Sequence, residues 1–354
     1  MKKSILFIVP YPKDTAPSQR LKFEQYYPGF EKQGYTIDAV PFVSDGFWKI
    51  IYKKGFYIRK AAYTMLGYVK RYALLFSVHR YDVVYVHLWG TPFGLPIFEW
   101  LLRKLSMKLI YDIDDLIYKG ESSPGNKFIS SFKSSGKVDF LMGNADKVLI
   151  STDKLLSYAG QFTNKLSLIP ATIDVEKYKF KKELNLDKVV IGWSGSHTTS
   201  KYLHLLDDVL KKISMRPDVK IMVMGDSSFS IDGANIDLLE WSADTEMHNI
   251  QQFDIGLHPI PDEEWVYGKS GGKLVQYMAA GLPIVASAIG PNYKAITDGY
   301  NGFLVSDEQA WYDKLELLIT DVNLRRQMGV NSKKTAIESY SIEANLSKYM
   351  DAIS

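Results

Sequence analysis

The chain has 354 residues, 46% of them apolar, no cysteine and a formal net charge of +3. That length is long for one hydrophobic core and comfortable for two domains. The lack of cysteine excludes a disulfide framework, a thiolate zinc site and a cysteine nucleophile, and fits a reducing compartment, so a cytoplasmic protein is expected. The N-terminal MKKSILFIVPYPKD has a basic start, but its apolar run is too short for a signal-peptide core and reads as a buried first strand. The loop behind it, Pro10 to Arg20, brings Arg20 to a strand end as a candidate acceptor contact, unless it is an ordinary βα turn with a surface arginine. From Phe47 to Tyr81 run eight Lys or Arg and ten aromatics without one Asp or Glu; taking those eight charges from +3 leaves the rest of the chain at −5. Basic and aromatic residues together suit an anionic headgroup layer, whereas a solvated basic helix is the plainer reading. Lys70 and Arg71 near the middle of the most apolar stretch argue against a transmembrane span, and no nucleic-acid motif appears.

Short β-rich runs alternate with helical patterns along the chain. SILFIV, TIDAVPF, DVVYVHL, KLIYDID, KVLIS and LSLIP are the strands expected in one half, VVIGWSG, VKIMVMG, FDIGLHP and LPIVAS those of the other. Near-continuous apolar strands separated by helices predict parallel sheets covered on both faces. Val175 to Lys188, charged and without apolar periodicity, reads as a linker. The expected architecture is α/β: two doubly wound, Rossmann-like domains, 1–175 and 189–340, facing across a cleft, with ligands at the carboxyl ends of the strands.

Asp112, Asp114 and Asp115 fall at one such strand end. Three close carboxylates can hydrogen-bond sugar hydroxyls, cap a helix or hold Mg²⁺; acceptor binding by Asp114 and Asp115, with Asp112 in the chemistry, ranks first, because the cluster lacks the spacing of a dedicated metal loop. His87 and His258 read as packed or capping residues.

Two loops of the second half are built to hold phosphate. Ile191 to Lys201 is a strand, a small-residue turn and a helix start, with Ser194, Gly195, Ser196 and Lys201 facing an anion, or else a tight turn capped by Ser or Thr. Gly268 to Ser287 places Lys269, Ser270, Gly271, Gly272 and Lys273 directly before an apolar helix. Glycines there allow close backbone approach, the helix start adds partial positive charge and the lysines add full charges. Two such loops in one domain point to a diphosphate.

Phe253-Asp-Ile-Gly-Leu-His-Pro, the Gly268 to Ser287 block and Asp298-Gly-Tyr-Asn-Gly-Phe-Leu together resemble the donor-binding half of glycosyltransferase family 4, retaining enzymes of the GT-B fold. The likeness continues through Leu324 to Gly329 and Tyr340-Ser341, and more weakly through Asn144 to Ser151 and Ile169 to Asp174. It implies a nucleotide-diphosphate sugar as donor substrate, no separate cofactor, no metal, and a C-terminal helix at about 341–354 packing back on the first domain. Many members of that family carry two glutamates seven residues apart; here those places hold Gly268 and Gln276. The second is associated with the nucleotide ribose, a contact glutamine can make; the pair Lys269/Lys273 resembles a subgroup with Gly-Lys-x-x-x-Lys-x-x-Gln-Tyr-Met-Ala. Gly225, Glu240, Trp241 and Leu274 complete the expected donor set.

As the bond from sugar C1 to phosphate breaks, the leaving diphosphate gains negative charge, and Lys269 and Lys273 are placed to stabilise it. Three functions stay open: a sugar transferase at the inner membrane surface acting on a glycan or lipid-linked acceptor, a nucleotide-sugar hydrolase or epimerase, and an inactive nucleotide-sugar binder.

Overall fold

The computed structural model describes residues 3–117, 135–179 and 188–354. Two compact units emerge: the first comprises Met1–Pro170, Gly268–Ser270 and Asn345–Ser354, the second Ala171–Tyr267 and Gly271–Ala344. Residues 180–187 of the expected linker, and Tyr118 beyond the aspartate cluster, lie outside the described residues.

The first unit is built on strands β1 (Lys3–Val9), β2 (Tyr35–Pro41), β3 (Val83–His87), β4 (Leu109–Ile113), β5 (Lys147–Ile150) and β6 (Leu166–Leu168). They pair in parallel in the order β2-β1-β3-β4-β5-β6. β3 and β4 are buried along their whole length, because helices cover both faces and alternation is lost. Their register sets His87 beside Asp112. Tyr349 of the C-terminal helix Ile342–Ile353 closes the aromatic core of this unit, 4.4 Å from the ring of Tyr26.

The second unit repeats the scheme with β7 (Val189–Ser194), β8 (Val219–Met224), β9 (Ile236–Leu239), β10 (Ile255–His258), β11 (Ile284–Ser287) and β12 (Gly302–Val305), all parallel, in the order β12-β11-β10-β7-β8-β9. Two glycines are required by close approach: a Cβ on Gly192 would lie 2.0 Å from the Phe253 ring, and one on Gly302 2.3 Å from the Ile284 carbonyl oxygen. Trp193 and Leu257 pack in the same core as Val285 and Trp311.

The basic segment folds as the helices Asp45–Ile51 and Tyr57–Leu74. Arg71 departs from a surface reading. It is buried, and its guanidinium donates to the carbonyls of Gly90, Val40 and Val9 at 2.7–2.9 Å, so that three strand-end acceptors are satisfied by one side chain. Gly67, one turn earlier, lets this helix sit on Phe42, whose ring a Cβ would meet at 2.7 Å. Among the described residues, no helix is long and apolar enough to cross a membrane.

Candidate donor and acceptor sites

In the second unit the ends of β7, β8 and β10 converge on the start of the helix Gly272–Ala280. Gly271 caps that helix in the left-handed region, at φ +72°, and as a glycine offers no side-chain cap to it. Such a helix start is one at which backbone donors, here those of Gly272 and Leu274, can attract an anion. Leu274 contributes only its backbone, since its side chain is buried in the core, and Gln276 is buried one turn on.

Lys273 directs its ammonium back across this opening. Nζ lies 3.3 Å from Thr199 Oγ1 and 4.6 Å from the centroid of the Trp193 ring, and a Cβ on Gly195 would come within 2.9 Å of it. The cation therefore rests on an aromatic face at the turn after β7. That turn is fixed from beneath: the Ser194 N–H donates to the Tyr277 hydroxyl at 2.7 Å, and the Gly195 N–H to the Met224 carbonyl at 3.0 Å. Gly225, at φ +99°, touches Gly195 so closely that a Cβ would fall 1.9 Å from the Gly195 oxygen.

The first phosphate loop differs from its expected form. After Ser194 the chain makes a turn and then a 3₁₀ helix, Ser200–Leu206, instead of an α-helix. The N–H of Ser196 is taken by Thr199 Oγ1 at 3.2 Å, and that of Gly195 by β8. An anion here must draw on His197 and Thr198 or displace the Thr199 hydroxyl, so the backbone of Gly195 and Ser196 does not supply free donors as expected. Lys201 is exposed and lies over the Tyr202 ring at 5.0 Å. Trp241, beside Gly225, donates from Nε1 to Glu246 Oε1 at 2.8 Å, while Glu240 is exposed next to it.

His258, at the end of β10, is buried against Asn292 at 3.1 Å. Burial, and then the charge of Lys273, push its imidazole down to about 3, which keeps it neutral beside the cation.

Lys269 and Ser270 group with the first unit. The Lys269 ammonium pairs with Asp115 Oδ2 at 2.5 Å, and both side chains are exposed. Gly268 has no room for a side chain, because a Cβ would lie 2.3 Å from Cγ of Leu116. The position where the family resemblance leads one to look for a glutamate is thus filled by a leucine.

Asp112 is a correction to the expectation that it faces ligand. It is fully buried: Oδ1 accepts from Lys22 Nζ at 2.5 Å, and Oδ2 lies 3.0 Å from His87 Nδ1. Burial works to raise this carboxyl, but Lys22 and His87 outweigh it and hold it at about 2. Both oxygens of Asp112 are engaged by side chains of the unit itself. Asp114, just past β4, is buried and raised by desolvation; among the described residues neither its Oδ1 nor the Nε2 of His87, 3.9 Å away, has a hydrogen-bond partner. Arg20 ends a short helical turn, Pro17–Arg20, and is half-buried. Sequence reasoning missed Lys22, a charge buried two residues past Arg20, and passed over His87. For His87 the available signal was a polar residue closing an otherwise apolar strand; Lys22, on no strand, carried none. Among the described residues, no group of three or more His, Asp and Glu is arranged to hold a metal ion.

Residues 188–321 match the family model described as "Glycosyl transferases group 1". The chain is 22% identical over 311 residues to a D-inositol 3-phosphate glycosyltransferase of Stackebrandtia nassauensis, covering 77% of this chain and 69% of that protein. It is 26% identical over 177 residues to the capsular polysaccharide biosynthesis glycosyltransferase CapM of Staphylococcus aureus, covering 46% of this chain and 45% of the relative; the chain thus spans less than half the length of that relative. The structure of Anabaena HepE in complex with UDP and glucose superposes with a TM-score of 0.69 at 16% identity, covering 99% of both chains. The chain has the two Rossmann-like domains of the GT-B fold, and the family match falls on residues 188–321.

Proposed function

We propose that the protein is a retaining glycosyltransferase that moves a sugar from a nucleoside diphosphate sugar to a glycan or lipid-linked acceptor at the anionic inner surface of the membrane, in cell-surface polysaccharide biosynthesis. The observation that carries the reading is the Lys273 ammonium, held by Trp193 and Thr199 in front of the uncapped helix start at Gly271. A fixed cation and oriented N–H dipoles stabilise charge gathering on a leaving diphosphate without reorganising as it forms. The family match includes this helix, and relatives named for capsular polysaccharide synthesis, or solved with UDP and glucose, support the substrate class.

In this reading Gly225, Glu240, Trp241 and Gln276 surround the nucleoside, and Lys201 joins the phosphate contacts. Asp114, Asp115 and Arg20 meet the acceptor, while Asp112 fixes Lys22 and His87. Lys273 and the helix start supply the positive field a metal would otherwise provide, and Lys269 adds to it once parted from Asp115. The donor phosphate then takes the acceptor proton on the same face of the sugar, which leaves the anomeric configuration unchanged. Titration calorimetry against a panel of nucleotides and nucleotide sugars, followed by NMR of the product, tests this. Tight diphosphate binding and an anomer retained in a glycoside are expected. Release of free sugar would indicate a hydrolase, an altered sugar an epimerase, and binding without turnover an inactive partner protein.

A further inference from the structure

The helix Tyr57–Leu74 is apolar on its outward side as well as on its inward side, where Tyr63 and Tyr68 pack on Phe47 and Phe42. Its inward face carries Gly67 and the buried Arg71, whereas Ile58, Met65, Val69 and, just past its end, Phe76 are 88%, 70%, 60% and 84% exposed. Leu66 and Tyr72 are exposed beside them. The spacing of 58, 65, 69, 72 and 76 is that of one helical stripe, so these side chains form a continuous apolar surface instead of scattered points. Such a patch on a water-soluble protein marks an interaction site. Tyr72 leans edge-on against Phe98 at 5.7 Å, which brings the helix Ile97–Leu105, with its exposed Ile97 and Trp100, alongside.

Charge decides what covers it. Arg59 and Lys70, three turns apart, are exposed along one edge of the stripe, Lys53 and Lys54 precede the helix, and Arg80 follows it. No Asp or Glu occurs between Phe47 and Tyr81. A second copy of this chain docked on the same face would set basic rim against basic rim with no carboxylate from this segment to answer it. An anionic lipid surface answers both features at once, taking the apolar stripe among acyl chains and the cations among phosphates. At 18 residues, about 27 Å, the helix is suited to lie in the interface plane.

We propose that the Tyr57–Leu74 helix is a membrane-inserting element that lies flat in an anionic bilayer, with Ile58, Met65, Leu66, Val69, Tyr72 and Phe76 below the headgroups. This rests on the membrane-surface part of the proposed function and goes further, from adsorption by charge to insertion by a defined face. Two measurements on the full chain test it. Co-sedimentation with phosphatidylglycerol-containing vesicles compares wild type with a Met65→Gln, Leu66→Gln, Val69→Gln variant. Wild type is expected to pellet and to keep part of its binding at high salt, and the variant to lose at least tenfold in partitioning at all salt concentrations. A Met65→Trp variant is expected to be quenched by lipids brominated on their acyl chains. Equal pelleting of the triple variant, no quenching at position 65, or a dimer in solution that the triple substitution dissolves would each overturn the inference. Nucleotide titration of the same variants separates the two ideas, since the donor site lies in the other unit: failure there counts against the transferase reading and leaves the vesicle result standing.

Discussion

Lys273→Ala is the perturbation most closely tied to the donor site. The Lys273 ammonium sits 3.3 Å from Thr199 Oγ1, 4.6 Å from the Trp193 ring centroid and at the Gly195 turn, so removing it empties the space in front of the helix start without touching the sheet core. A charge-assisted contact to phosphate contributes about 1.5–3 kcal/mol, while the helix N–H groups that remain keep roughly 0.3–1 kcal/mol of dipole attraction. The dissociation constant for a nucleoside diphosphate should therefore rise about 10- to 150-fold and not further. The cation–π contact is worth about 0.5–2 kcal/mol, so thermal stability should fall only slightly, which separates lost binding from lost folding. Lys269→Ala should cost less, because wild-type Lys269 must first leave Asp115. Titration calorimetry with a nucleoside diphosphate, beside a melting curve, reads both quantities. Unchanged affinity in both variants would refute the assignment of this loop to phosphate.

Gly225→Ala forces a Cβ to 1.9 Å from the Gly195 oxygen at φ +99°, and should destabilise the protein by at least ~2 kcal/mol and weaken nucleotide binding by shifting the Gly195 turn; urea unfolding and titration check this. His258 is depressed to about 3 from 6.5, so the unfolded chain takes up a proton that the folded chain refuses. Stability should fall as pH drops from 6.5 toward 3, and His258→Gln should flatten that slope in denaturation curves taken between pH 6.5 and 4. Asp112, held at about 2 against an ordinary 3.8, contributes stability present above pH 3.8 and lost as pH falls through 2. Asp112→Asn should cost ~3–5 kcal/mol at neutral pH by leaving Lys22 buried without its counter-charge, read by the same denaturation. Turnover should survive EDTA; loss of rate restored by Mg²⁺ or Mn²⁺ would reassign Asp114 and Asp115 as ligands.

Ten of the twelve strands among the described residues are legible as apolar runs because parallel strands buried on both faces leave no room for alternation. The two that are missed, β9 and β12, are edge strands of four residues. β9 has its two central side chains exposed, and β12 opens on Gly302, whose hydrogen side chain is dictated by the Ile284 carbonyl and not by any local pattern. The glycine spacing of Gly268 to Gly272 marks the loop proposed to hold phosphate, but not that Gly268 is filled by Leu116 or that Lys269 turns to Asp115, since both partners are more than 150 residues away. Asp112 was misjudged for the same reason: cross-strand register with His87 and a contact to Lys22, 90 residues earlier, decide its burial. In the Tyr57–Leu74 helix the excess of charge is visible in the sequence. Which face turns inward is not, because an amphipathic pattern predicts Arg71 outside, and only the carbonyls of Val9, Val40 and Gly90 explain why it is inside.

The central claim is that the second unit holds a nucleoside diphosphate sugar at Lys273 and passes its sugar on. The direct measurement follows label from a panel of sugar-labelled nucleotide donors into a glycan and lipid extract, with EDTA present, for wild type and Lys273→Ala side by side. We predict that one donor is consumed by wild type, that its label appears in the acceptor fraction, and that Lys273→Ala lowers the rate at least tenfold. Donors left intact by wild type across the whole panel, or label transferred equally well by Lys273→Ala, would contradict it.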